Sequence, residues 1–95
     1  MPIKPDSYYE QFDNERPAFG KYTERELHRA FDAVANPENW KYPVDARIPA
    51  EGVDTNLIAD AVAFFTGSHA EIYPDPDETG WLIVDAAGYY ACIGS

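Results

Sequence analysis

No lysine or arginine follows Arg47. All seven cations fall in residues 1–47 together with nine of the seventeen acids, and residues 48–95 hold eight acids with no cation among them. Phosphate contacts need clustered Lys and Arg, so direct binding to DNA, RNA or anionic lipid is disfavoured. There is one cysteine, Cys92, which excludes an intramolecular disulfide and fits a reducing compartment. It sits in the apolar run "YYACIG", where a buried structural thiol is the expected reading. The two histidines, His28 and His69, and the one cysteine show no Cys/His spacing for zinc. No apolar run approaches the roughly 18 to 20 residues of a membrane span. The opening "MPIKPDSYYEQ" lacks the hydrophobic segment of a signal peptide, and a cytoplasmic protein is expected. Neither a P-loop nor a dinucleotide glycine fingerprint occurs, and the reading implies no cofactor.

What is present points to one small domain. A chain of 95 residues has room for a single core, and 45% hydrophobic with 15% aromatic residues suffices to build it. The net charge of −10 leaves a basic protein surface, a cation or no charged partner at all, the acidity then serving only solubility.

Residues 1–20 mix prolines, charges and the aromatics Tyr8, Tyr9, Phe12 and Phe19 without a sustained period. They read as an N-terminal arm laid over the core or over a neighbouring subunit, with residues 21–95 as the domain proper. Thr23 and Glu26 spell a capping box, and Tyr22 is placed to staple onto Leu27. Leu27, Ala30, Phe31 and Val34 then form one helical stripe, while Arg25, Arg29 and Asp32 point elsewhere and His28 lies beside the stripe as a solvated or edge side chain. "NP" at Asn36 and Pro37 ends the helix and can restart a single turn. Between Pro43 and Pro49, Val44, Ala46 and Ile48 alternate with Asp45 and Arg47, a pattern that the prolines confine to an edge strand or extended coil.

A second helix starts at Asp54 and stops at Gly67, with a stripe of Ile58, Ala61, Val62 and Phe65 widened by Leu57 and Phe64. That width predicts the most buried element of the fold. "HAEIY" (69–73), "WLIVD" (81–85) and "YYACI" (89–93) read as strands joined by "PDPDETG" and "AAG", in an antiparallel meander. The fold class expected is α+β, with two amphipathic helices packed on a C-terminal antiparallel sheet of three to four strands.

"DPDETGWLIVDA" places Asp75, Asp77, Thr79 and Gly80 at positions 1, 3, 5 and 6 of a calcium loop. Position 12, which should be a bidentate Glu, is Ala86, and both flanks read as strand rather than helix. A hairpin loop that wants Pro, Asp and Gly explains the same letters. Asp75 and Asp77 stay only as weak cation candidates, and no metal site is expected. Ser68, His69 and Asp85 have no glycine-flanked elbow, and every acid after residue 48 lies at a strand end, cap or loop. No catalytic residue is assigned, and an enzyme is not expected.

Trp81, Ile83 and Asp85 share one strand face and Leu82 and Val84 the other, so apolar or aromatic groups occupy both faces of the sheet. The arm, a partner or a second copy must cover the face away from the helices, since Tyr and Trp are favoured interface anchors. The first expectation is a non-enzymatic binding protein whose partner presents a basic surface. A nucleic-acid-binding protein is one such partner, the carboxylates imitating phosphates, and an inhibitory role would follow. Glu71, Asp75, Asp77, Glu78 and Asp85 would steer association, and Trp81 with Tyr89 or Tyr90 would anchor it. The alternative is an oligomeric small-ligand or cation binder with a pocket at the helix–sheet junction or a subunit interface, lined by Trp40, Tyr42 and Arg47. The phrases "NPENWKYPVDARI", "AVAFFTGS" and "AAGYYACIG" resemble uncharacterised small proteins of bacteria and their phages or mobile elements, over roughly residues 31–94. The resemblance names no family and transfers no functional residue. It implies a setting in which small acidic proteins bind and block a host protein.

Overall fold

The computed structural model describes residues 4–40, 44 and 46–86, apart from the side chain of residue 37. The elements run α1 (Asp6–Tyr9), β1 (Pro17–Phe19), β2 (Tyr22–Thr23), α2 (Glu24–Ala35), a 3-10 turn (Pro37–Asn39), β3 (Ala46–Pro49), α3 (Thr55–Thr66), β4 (Glu71–Pro74) and β5 (Trp81–Asp85). The architecture is α+β, with one two-stranded and one three-stranded antiparallel sheet. No helix among the described residues is long and apolar enough to cross a membrane.

Both long helices begin where their caps place them. The Thr23 hydroxyl accepts from the Glu26 N–H at 3.3 Å, and Glu26 Oε1 accepts from the Thr23 N–H at 3.0 Å, closing the box. Asp54 Oδ1 accepts from the N–H groups of Asn56 and Leu57, and the Tyr22 hydroxyl donates to Asp54 Oδ2 at 2.8 Å. One carboxylate thus caps α3 and ties it to the strand that precedes α2. Gly67, at φ +77°, ends α3 in the left-handed conformation that a Cβ would oppose.

The core is the seam where the two helical stripes meet one face of the three-stranded sheet. Leu27, Ala30 and Val34 of α2 and Ile58, Ala61 and Val62 of α3 pack with Ala46 and Ile48 of β3 and Val84 of β5. The stripe of α3 is narrower than its sequence suggests. Phe64 is exposed and meets Phe19 of β1 edge to face at 5.9 Å, so the β1–β2 hairpin, not the core, is its neighbour.

The strand order β3-β5-β4 differs from a meander. β5 has β4 on one side (Tyr73 opposite Ile83) and β3 on the other (Arg47 opposite Ile83), so β3 fills the place a meander would give to a strand after β5. The segment 89–93 lies outside the described residues. Among the described residues β3 and β4 are the edge strands, and each ends in a proline, Pro49 and Pro74, at the position where a missing N–H costs least.

The arm is bound to its own chain. Tyr9 is 1% exposed and donates its hydroxyl to Asp32 Oδ2 of α2 at 2.7 Å. Arg25 of α2 reaches back to the carbonyls of Tyr9, Glu10 and Phe12, and the Phe12 ring stacks on His28 at 3.6 Å. A boundary after residue 20 falls inside the β1–β2 turn, since Phe19 pairs with Tyr22.

Candidate functional site

Alternation along the three-stranded sheet puts Ala46, Ile48, Leu82, Val84 and Ile72 toward the helices and Arg47, Tyr73, Trp81, Ile83, Asp85 and Glu71 on the outer side. Ile83 is the buried centre of that outer side at 3% exposure, with Arg47 and Tyr73 directly opposite it on the two edge strands. Tyr73, at 36% exposure, is its exposed aromatic. Glu71 faces Asp85 across β4 and β5, a pairing of like charges that normally disfavours a sheet.

The stretch 75–80 is the hairpin loop between β4 and β5, closed by the Asp75 N–H donating to the Trp81 carbonyl at 2.9 Å. Asp75 itself is turned inward. Its side chain is 0% exposed, Oδ1 accepts from the Asp77 N–H at 2.8 Å, and Oδ2 lies 3.9 Å from Arg47 Nη1. The same guanidinium bonds the Glu78 carboxylate and lies over the Trp81 ring, 4.4 Å from its centroid. Arg47 therefore supplies the positive charge that a cation would bring to this loop. Among the described residues no group of three or more His, Cys, Asp or Glu side chains converges on a metal position.

These contacts redistribute the residues named from sequence. Glu71, Asp77 and Glu78 are exposed and Asp85 is half-buried, but Asp75 is inside and cannot steer a partner. Trp81 is half-buried with one ring face taken by Arg47, so Tyr73 is the more accessible aromatic of the sheet. Tyr73 alternates with Ile72 as an outward position, a signal that strand parity alone carries. Tyr42, Tyr89 and Tyr90 lie outside the described residues.

A cleft of about 450 Å³ opens at the helix–sheet junction, between α1, α2 and the ends of β3 and β5. Tyr9, Arg29, Asp32, Asn39 and Trp81 are among the side chains that line it, and Trp40 and Arg47 are not. Trp40 stands 36% exposed elsewhere. Asp32 is drawn in by the Tyr9 hydroxyl and by Lys4 Nζ at 3.8 Å, which leaves its side chain 12% exposed. Burial first, then the bond to Asp32, pushes the Tyr9 hydroxyl well above the ordinary tyrosine value. Arg29 lies over the Tyr9 ring at 4.5 Å and bonds Asp6 at 3.2 Å. One turn before Asp32 on α2, His28 is held below the ordinary histidine value, chiefly by burial between the Phe12 and Phe65 rings.

Fold and surface together define a small α+β protein with an acidic, tyrosine-bearing sheet face and a separate amphoteric cleft. Comparison with protein-family models, curated proteins and solved structures finds no match to this chain.

Proposed function

We propose that the protein acts by binding rather than by catalysis, docking β4 and the β4–β5 hairpin onto a basic protein surface. The observation that carries this reading is the company Tyr73 keeps. Glu71, Asp77 and Glu78 are exposed on its own strand and the adjoining loop, and Arg47, the cation of β3, is already held by Asp75, Glu78 and Trp81. An aromatic anchor ringed by carboxylates suits a Lys- or Arg-rich patch, where charge sets the rate of encounter and the tyrosine the lifetime of the complex. A nucleic-acid-binding protein offers such a patch, and occupying it would make this chain an inhibitor. The single cysteine and the overall acidity favour the cytoplasm as the place of action.

The test is capture of partners from lysate at low salt by the wild-type chain and by the Glu71→Lys, Asp77→Lys double variant. Glu78 is left intact so that Arg47 keeps its partners. A basic protein retained by the wild type, released by salt and lost from the variant is the expected result. Equal recovery by both chains, or a retained partner without a basic surface, would overturn the reading.

A further inference from the structure

The cleft carries an inference that is independent of the docking face. Arg29 and Asp32 stand three residues apart on α2, and so on one side of the helix, yet they do not pair with each other. Arg29 turns to Asp6, an 83% exposed partner, while Asp32 Oδ2 takes the Tyr9 hydroxyl. Each keeps unused capacity. The remaining N–H groups of Arg29 and the Oδ1 atom of Asp32 find no hydrogen-bond partner among the described residues. Asn39 donates Nδ2 to the Ala33 carbonyl at 2.7 Å, which fixes its amide and leaves Oδ1 as a second acceptor. Trp81 supplies aromatic wall, and Tyr9 closes the floor beneath Arg29.

The cleft thus brings a donor cation and two acceptors together with apolar surface, in a volume within the usual range of small-molecule sites. A simple anion drawn to Arg29 would meet the Asp32 carboxylate in a molecule that is already strongly negative. A simple cation drawn to Asp32 would meet Arg29 and Lys4. A molecule carrying both charges a few ångströms apart satisfies both Arg29 and the Asp32 carboxylate, whose side chain is 12% exposed. We propose that the cleft binds a free α-amino acid with an apolar side chain: its carboxylate on Arg29, its ammonium on Asp32 and Asn39, and its side chain against Trp81.

The test uses the full chain carrying Trp40→Phe, which leaves Trp81 as the sole indole reporter. L-leucine is titrated beside leucinamide, which keeps only the positive charge, and N-acetyl-leucine, which keeps only the negative one. Calorimetry accompanies the fluorescence. Leucine is expected to bind saturably and each singly charged analogue at least about tenfold more weakly. Arg29→Gln should weaken leucine and leave leucinamide unchanged, whereas Asp32→Asn should weaken leucine and leave N-acetyl-leucine unchanged. A merely loosened fold would weaken all ligands alike in either variant. No saturable response to leucine or phenylalanine up to about 10 mM, or analogues that bind as tightly as the amino acid, would overturn the proposal.

Discussion

Replacing Tyr9 with Phe takes one hydroxyl from the junction of the arm and α2 and leaves everything else in place. The ring is 1% exposed and Phe fills nearly the same space, so no cavity forms and the Arg29 contact over the ring survives. What goes is a 2.7 Å bond to a carboxylate whose side chain is only 12% exposed. A hydrogen bond to a charged group contributes about 1.5 to 3 kcal/mol, and Lys4 at 3.8 Å offsets part of its loss. The expected cost is therefore about 1 to 2 kcal/mol. With a urea dependence of about 1 kcal/mol per molar for a chain of this length, the midpoint should fall by about 1 to 2 M at unchanged slope. Alkaline pH provides an internal control. The folded-state pKa of Tyr9 is raised, so its contribution is fully present below the unfolded value near 10 and is lost as pH rises above it. The gap between wild type and variant should narrow over that range, while Tyr22, pushed up to about 12 by burial and by Asp54, titrates alike in both chains and cancels. A loss below about 0.5 kcal/mol, or a gap indifferent to alkaline pH, would refute the bond as the tie of the arm. A separate early transition in the wild type would show the arm unfolding by itself.

Three further outcomes are expected. The folded pKa of His28 is lowered by burial, so its share of stability is complete above the unfolded value near 6.5 and is lost as pH falls toward the folded one; His28→Phe should flatten the fall in melting temperature between pH 7 and 5, and an unchanged slope would refute this. Arg47→Met leaves the Asp75 carboxylate inside without its guanidinium and should cost about 1 to 3 kcal/mol in denaturant titration, with Asp75→Asn in the same chain recovering part of it; strictly additive losses would show the pair to be uncoupled. Raising monovalent salt from about 0.01 M to 0.15 M shortens the screening length from about 30 Å to about 8 Å and should raise the melting temperature of a chain of net charge −10. No rise would mean that the ion pairs lose as much as the repulsion among carboxylates does.

The helices and the hairpin were legible because their signals are local. Thr23, Glu26, Asp54 and Gly67 each act within a turn of their own position, and the stripes of α2 and α3 state their own period. Partnerships across long separations were not. β3 takes its place beside β5 because Ala46 and Ile48 share the core with Leu82 and Val84, a match that no short window contains. Asp75 reads as a solvent-facing loop acid until Arg47, in another strand, comes within reach. Arg29 and Asp32 were correctly set off the apolar stripe, but the arm that makes their side of α2 into a cleft has no periodicity to announce where it lies.

The absence of lysine and arginine after Arg47 also decides how this molecule can be handled at the bench. Lys4, Lys21 and Lys41 all precede β3, so amine-directed coupling anchors the chain through its N-terminal half and leaves the carboxylates of β4 and the β4–β5 loop unmodified. Carbodiimide coupling through carboxylates would instead capture the chain by the acids proposed to steer it. Trypsin finds no cleavage residue from Ile48 onward, and everything from there to Ser95 leaves a digest as one acidic fragment. An interaction map of this protein therefore needs a protease that cuts at Asp or Glu; with trypsin alone, the docking face would contribute a single peptide to the record.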